Sequence, residues 1–165
     1  MVGFNALLRN YMSDYPQLSA ALSESLLAIS LATVGDEGRD FIEKSEQWIN
    51  NTIKGVKHEI GFAKFLEALG VSYRYATPEE DRKGHDIVVT YNNHTIGIDV
   101  KSSLSEVDQK NSGSNGKPFA TKTDGTIVMY SLLRDEDFRG GTVPTQSAID
   151  EKSMIVGAYL QKAFN

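Results

Sequence analysis

The sequence predicts an α/β domain in which helices flank a mixed central sheet. Before Gly70, apolar residues recur at helical spacing, as in "VKHEIGFAKFLEALG". After Gly70 they alternate with polar residues, as in "VSYRYA", "DIVVTY" and "HTIGIDVKS", which is typical of half-buried strands. A later continuous apolar run, "TIVMYSLL", is typical of a strand buried on both faces. The closing run "SAIDEKSMIVGAYLQKAF" predicts a final helix.

The N-terminal third is predicted to be helical. The stretch "DYPQLSAALSESLLAISLATVG" carries leucines at helical spacing. A second helical run begins near Asp36, and Asn50, Asn51 and Gly55 predict a break or kink in it. We therefore divide the chain into a helical extension, residues 1–55, and a core, residues 56–165. The extension is expected to form an appendage or a homodimer surface, or to cap its own sheet.

Composition narrows the classes of function. The chain has 165 residues, no cysteine and a net charge of −5. Disulfides and thiolate metal sites are therefore excluded, and nucleic acid would have to be bound through local basic patches or bound cations. No apolar run approaches the length of about 20 residues needed to span a membrane. The first residues lack the pattern of a secretory signal, so we expect an intracellular, cytoplasmic protein with no membrane partner.

The strand pair at residues 86–101 carries charges that a core strand does not need. Side chains two apart share a strand face, so Asp99 and Lys101 lie together, opposite the apolar face. If Asn92 and Asn93 form a two-residue turn, Asp86 falls opposite Asp99. A three-residue turn would place Asp86 on the other face instead. A solvated ion pair is the alternative interpretation of Asp99 and Lys101.

A glutamate in the apolar arc of the third helix adds to this pattern. On a helical projection, Glu59 falls among Phe62, Ala63 and Leu66. A buried carboxylate without a partner is costly, so Glu59 must meet either a core-facing Lys or Arg or a metal ion. If Glu59 instead faced solvent, the chain would be better interpreted as a helical interaction protein.

These residues resemble the PD-(D/E)xK nuclease superfamily. The stretch "HEIGFAKFLEALGVSYRYA…GHDIVV…TIGIDVKSS" is similar to archaeal Holliday-junction resolvases and to restriction endonucleases, over about residues 56–133. The resemblance implies a restriction-endonuclease-like core. His85 stands where the motif often has proline, and Asp99 stands where many members have glutamate. No helix is evident in residues 104–125, where the family has one between its third and fourth strands.

The resemblance implies a Mg²⁺- or Mn²⁺-dependent endonuclease acting on nucleic acid, in particular DNA. Its catalytic residues would be Glu59, Asp86, Asp99 and Lys101. Its metal ligands would be Glu59, Asp86, Asp99 and the carbonyl of Val100. Lys101 would orient or help to deprotonate the attacking water and counter the developing charge. The alternative is a nuclease-like fold with weak catalysis that binds nucleic acid or a protein partner.

Further basic residues are candidate contacts to phosphate groups, with ordinary solubilising charge as the alternative. Three lie before Asp86 and three lie in the polar segment 104–125, which we expect to be mobile and to close over nucleic acid. They are Arg74, Arg82, Lys83, Lys110, Lys117 and Lys122.

Overall fold

The central element of the protein is a five-stranded mixed sheet with helices on both sides. A computed structural model of the chain describes residues 4–15, 25, 28, 39–91, 94–110 and 117–164. The helices are α1 (Phe4–Asp14), α2 (Arg39–Ala68), α3 (Pro78–Arg82), α4 (Leu104–Lys110), α5 (Asp135–Phe138) and α6 (Gln146–Phe164). The strands are β1 (Tyr73–Tyr75), β2 (Ile87–Tyr91), β3 (His94–Lys101), β4 (Phe119–Thr121) and β5 (Ile127–Tyr130).

Strand order in the sheet is β1-β2-β3-β5-β4. β1, β2 and β3 are antiparallel neighbours, β5 runs parallel to β3, and β4 is antiparallel to β5. Tyr91 pairs with His94, which confirms the register predicted for a two-residue connection. Asn92 and Asn93 themselves lie outside the described residues. Because of this register, Asp86 arrives beside the end of β3 where Asp99 and Val100 lie.

The main core lies between one face of the sheet and the helices α2 and α6. The alternating apolar positions of β2 and β3 pack there against the apolar arc of α2. This core includes Phe62, Ala63, Phe65, Leu66, Ile87, Val89, Ile98, Val100, Ile127, Met129, Val156 and Leu160. On the opposite face, a smaller cluster joins α4 to the sheet through Val107, Ala120 and Val128. Both faces of β5 are therefore covered, as its continuous apolar sequence predicted.

The predicted break in the second helical run is wrong, because α2 continues from Arg39 to Ala68; the alternative of a kink stays a prediction. Asn50, Asn51 and Gly55 each cost about 0.5 to 1 kcal/mol of helix propensity. Burying one aliphatic side chain is worth about 1.5 to 3 kcal/mol, and several are buried on this part of α2. They are Ile49, Ile53, Val56 and Ile60, which pack with Leu8 and Met12 of α1. Tertiary packing therefore outweighs the local preference.

The polar loop predicted after β1 contains a short helix, and so does the loop after β5. α3 begins with a capping box in which Thr77 and Glu80 bond to each other's backbone N–H groups. Thr77-Pro78-Glu79-Glu80 is a helix-start signal within a stretch whose polar composition predicts a loop. α5 occupies Asp135–Phe138 in the second loop.

The long polar segment after β3 is also more regular than predicted. It contains α4 and β4, so the predicted absence of a helix between β3 and the later buried strand is wrong. Glu106 anchors the first turn of α4, because its carboxylate accepts hydrogen bonds from the backbone N–H groups of Ser102 and Ser103 at 2.9 and 3.1 Å. Residues 111–116 lie outside the described part of the chain. Closure of this segment over nucleic acid stays a prediction.

The N-terminal helix packs on the middle of α2. Leu8 and Met12 are buried there, and the hydroxyl of Thr142 donates a hydrogen bond to the Met12 carbonyl at 2.6 Å. α2 passes through residue 55, so the predicted division falls inside a helix, and the division itself stays a prediction. The leucine-rich stretch 16–35 lies outside the described residues except for Ser25 and Ala28, which are helical. Among described helices, none is long and apolar enough to cross a membrane.

Leu66→Ala is expected to lower the free energy of unfolding by about 2 to 5 kcal/mol. Leu66 is fully buried between α2 and the sheet, so its loss removes apolar contacts and leaves a cavity. Denaturant unfolding measures the change. Met154→Ala on α6 is the control, because Met154 is 74% exposed and its replacement should change stability by less than about 0.5 kcal/mol. Equal effects from the two changes would contradict this description of the core.

Candidate active site

A cleft of about 330 Å³ opens where the ends of β2 and β3 meet α2. Three elements of the chain form its walls: the middle of α2, the start of β2, and the junction of β3 with α4. The lining residues are Asn51, Lys54, Gly55, Glu59, Asp86, Val100, Lys101, Ser102 and Glu106. The structure therefore brings four of the predicted site residues, Glu59, Asp86, Val100 and Lys101, to one place. Asp99 is not among the lining residues.

Glu59 does not face solvent and is only 7% exposed. Two nitrogens of the Arg9 guanidinium converge on Glu59 Oε2, with Nε at 2.8 Å. Arg9 also lies over the ring of Tyr75, 4.4 Å from its centroid. Burial raises the pKa of Glu59, and the positive charge of Arg9 opposes that rise. Arg9 is therefore the basic partner predicted as one of the two alternatives for Glu59.

Asp86 lies directly before β2, and its side chain reaches the backbone near the end of β3. Asp86 Oδ2 accepts a hydrogen bond from the Val100 N–H at 2.7 Å. Burial raises the pKa of Asp86 to about 8, and the charges of Glu59 and Asp99 act in the same direction. At neutral pH this carboxyl group is therefore mainly protonated unless a cation comes close to it.

Asp99 is held between two lysines and is 3% exposed. Lys101 Nζ contacts Asp99 Oδ1, and Lys122 Nζ lies 3.0 Å from Asp99 Oδ2. Burial works to lower the pKa of Lys101, but the hydrogen bond and charge of Asp99 outweigh it and raise the pKa. Lys101 is therefore a cation at neutral pH, which favours its charge-countering role over a role as general base.

The donor atoms at the cleft suit a hard divalent cation. Carboxylate and carbonyl oxygens are the ligands that Mg²⁺ prefers, and Glu59 and Asp86 supply carboxylates. The Lys101 carbonyl accepts a hydrogen bond from the N–H of Ser131, which directly follows β5, so this carbonyl points to the β5 side of β3. The Val100 carbonyl therefore points to the opposite side, toward Asp86, since carbonyls alternate along a strand.

The predicted ligand set is not assembled as a metal site in the structure. Within residues 4–15, 25, 28, 39–91, 94–110 and 117–164, no group of three or more His, Cys, Asp or Glu side chains is arranged to hold a metal ion. Arg9 engages Glu59, and the two lysines engage Asp99. A metal site stays a prediction, and Glu59, Asp86 and Val100 are the groups whose position at the cleft fits it.

The two histidines beside these residues bond elsewhere. His58 Nδ1 lies 2.6 Å from Ser131 Oγ, and burial lowers the His58 pKa to about 4, so the ring is neutral. His85 Nε2 lies 2.9 Å from Thr126 Oγ1. The His85 ring covers Gly97, where an added Cβ would come within 2.6 Å of it. The space that Gly97 leaves on the charged strand face is therefore filled by His85.

The candidate phosphate-contacting residues have separate environments, and their role stays a prediction. Arg74 pairs with Glu80 at 2.6 Å, Arg82 donates to the Pro78 carbonyl, and Lys83 lies 3.5 Å from Glu79. Lys117 is exposed, and Lys122 bonds Asp99. Lys110 ends α4, and its side chain lies outside the described part of the structure.

Several residues at the site were missed by sequence reasoning. Arg9 is distant in sequence, and no local pattern marks it as the partner of Glu59. Asn51 and Gly55 did carry a signal, because they precede Glu59 at intervals of four residues and therefore lie on its side of the helix. By their low helix propensity, the same residues predict a break or kink.

Arg9→Met is expected to lower the free energy of unfolding, by up to about 3 to 5 kcal/mol, because a buried carboxylate loses its charged partner. Without Arg9 the pKa of Glu59 rises further, since the guanidinium is what lowers it. The deficit relative to wild type should therefore grow with pH, and should be smaller at about pH 4.5 than at about pH 8. Denaturant unfolding at both pH values measures it. Adding Glu59→Gln should recover part of the loss, and a pH-independent deficit would contradict the ion-pair description.

Asp86→Asn is expected to stabilise the fold near pH 8 and to have little effect near pH 4. The pKa of Asp86 is raised from 3.8 to about 8. Between these values the unfolded chain loses this proton while the folded chain keeps it, so stability falls as pH rises. Asparagine does not titrate, so it removes this fall in stability with pH, and its side-chain oxygen can still accept the hydrogen bond from the Val100 N–H. Unfolding curves across this range, without divalent cations, test it, and equal pH slopes for the two proteins would contradict it.

Comparison of the chain with protein-family models, with curated proteins and with solved structures finds no match. The residues and geometry of the cleft are therefore the basis on which a function is argued. They combine buried carboxyl groups, a cationic lysine and a backbone carbonyl near the end of a strand around one opening.

Proposed function

We propose that this protein is a divalent-metal-dependent endonuclease that hydrolyses phosphodiester bonds in DNA. The observation that carries the proposal is the meeting of Glu59, Asp86, Val100 and Lys101 at one cleft. Asp86 has a carboxyl group whose pKa is raised by burial and by two neighbouring carboxylates. Carboxylates crowded in this way are relieved by a cation, and phosphodiester hydrolysis needs a cation at the phosphate.

Each residue has a role that follows from its position. Glu59, Asp86 and the Val100 carbonyl would hold Mg²⁺ or Mn²⁺. The cation, when bound, would supply neutralisation of phosphate charge and activation of water. Lys101, which is cationic and lines the cleft, would orient the attacking water and stabilise charge developing on the phosphate. Asp99 holds the Lys101 ammonium in place, and it would become a direct ligand if the two lysines moved to substrate.

The order of elements also supports the proposal. A long helix carrying Glu59 precedes three antiparallel strands, with the short helix α3 between the first two. After them come α4, the edge strand β4, and then the buried strand β5, which is parallel to β3. This is the order expected from the resemblance to PD-(D/E)xK nucleases, and α4 occupies the place where the family has a helix.

The alternative is a nuclease-like module that binds nucleic acid or a protein partner with little catalysis. One observation favours it: Arg9 already neutralises Glu59, and two lysines already neutralise Asp99. A module of this kind would bind without any need for divalent cations. Metal-dependent cleavage is therefore the property that separates the two functions.

Incubation with plasmid, single-stranded and branched DNA should give cleavage in Mg²⁺ or Mn²⁺ and none in EDTA. Asp86→Asn, Asp99→Ala and Lys101→Met should each reduce the cleavage rate by at least about 100-fold, with cooperative unfolding retained. Glu151→Gln, at an exposed position of α6, is the control and should cleave like wild type. DNA binding without cleavage in any metal would support the alternative, and cleavage that survives all three changes would contradict the site.

A further inference from the structure

Asn51 and Gly55, which by propensity weaken α2, form one of the walls of the cleft. Asn51, Gly55 and Glu59 follow at intervals of four residues and lie along one side of the helix. All three line the cleft together with Lys54. Asn51, Lys54 and Gly55 precede Glu59 along α2, so they extend the cleft along this helix, away from Glu59.

Packing against the described residues does not explain why position 55 is a glycine. A Cβ placed there meets no atom within 4 Å, whereas a Cβ at Gly61 of the same helix would lie 2.1 Å from Leu133 Cδ1. A glycine inside a helix lowers stability relative to alanine. Gly61 is required by the approach of Leu133, but the space above Gly55 opens into the cleft. Glycine at such a position allows close approach of a ligand to the helix backbone.

Lys54 differs from two other lysines of α2 in what it contacts. Lys57 lies over the Phe138 ring at 4.5 Å, and Lys64 pairs with Glu67 at 2.8 Å. Lys54 is exposed and forms no ion pair with any residue that the structure describes. Its ammonium group and the amide of Asn51 are hydrogen-bond donors beside an opening that Lys101 lines from the strand side.

We propose that Asn51, Lys54 and Gly55 form a subsite for the sugar-phosphate backbone of a DNA strand next to the bond that is cleaved. This inference rests on the proposed nuclease function. The missing side chain at Gly55 lets the strand lie close to α2. Lys54 contacts a phosphate group, and the Asn51 amide donates to a neighbouring phosphate oxygen. Such contacts position the substrate without reading its sequence.

The test measures binding of a fluorescein-labelled DNA duplex by anisotropy across a salt series, in Ca²⁺ so that binding is separated from turnover. Lys54→Gln should weaken binding about three- to tenfold and reduce the salt slope by about one. Lys64→Gln, on the same helix but at an ion pair outside the cleft, is the matched control and should bind like wild type. Mn²⁺ affinity, measured by electron paramagnetic resonance, should be unchanged in both variants.

The role of Gly55 is tested by substitutions that place side chains of increasing size at this position. Gly55→Ala should melt at or above the wild-type temperature, because nothing clashes with its Cβ. Gly55→Leu should fold but bind the duplex about tenfold more weakly, an effect of the order of a lost phosphate contact. A Gly55→Leu protein that melts far below wild type would make Gly55 structural and overturn its part in the subsite.

The outcomes separate this inference from the function on which it rests. A wild-type protein that binds and cleaves DNA while Lys54→Gln and Gly55→Leu bind equally well overturns the subsite alone. A wild-type protein that neither binds nor cleaves DNA overturns the proposed function, and the subsite with it. Weaker binding in both variants, with Mn²⁺ affinity kept, supports the subsite.

Discussion

Glu59 carries a carboxylate on the inner, buried side of α2, and this charge needs a positive partner, which Arg9 of α1 supplies. Arg9 reaches Glu59 only because α1 packs against α2 through Leu8 and Met12. The guanidinium also lies over Tyr75 of β1, so one side chain joins two helices and the edge of the sheet. The N-terminal helix is therefore part of the site's support.

Charge balance differs among the three acidic side chains of the site. Glu59 has Arg9, and Asp99 has Lys101 and Lys122. The polar contact described for the Asp86 side chain is the Val100 N–H, and its pKa is raised accordingly. Asp86 is therefore a position at which an added cation would lower the free energy of the folded protein.

The location of the cleft follows from the sheet topology. β3 and β5 run parallel, so the chain must return to the opposite end of the sheet between them. α4 follows immediately after Lys101, and β4, which is antiparallel to β5, leads the chain back to the start of β5. The antiparallel β2 begins at the same end, where Asp86 meets β3. α2 covers this end of the sheet. The start of β2, the end of β3, the start of α4 and one side of α2 therefore surround one opening. Residues far apart in sequence thus become neighbours.

Alternation and apolar periodicity in the sequence determined the core strands, the final helix and the helical course around Glu59, because side-chain burial follows directly from these periods. The same alternation placed Asp99 beside Lys101, and the two-residue spacing between β2 and β3 brought Asp86 to their end of the sheet. Only the tertiary structure decided the continuity of α2, since packing on Leu8 and Met12 outweighs the weak propensity of Asn51 and Gly55. It also decided that Arg9 is the partner of Glu59, because a contact between residues 50 positions apart leaves no local pattern.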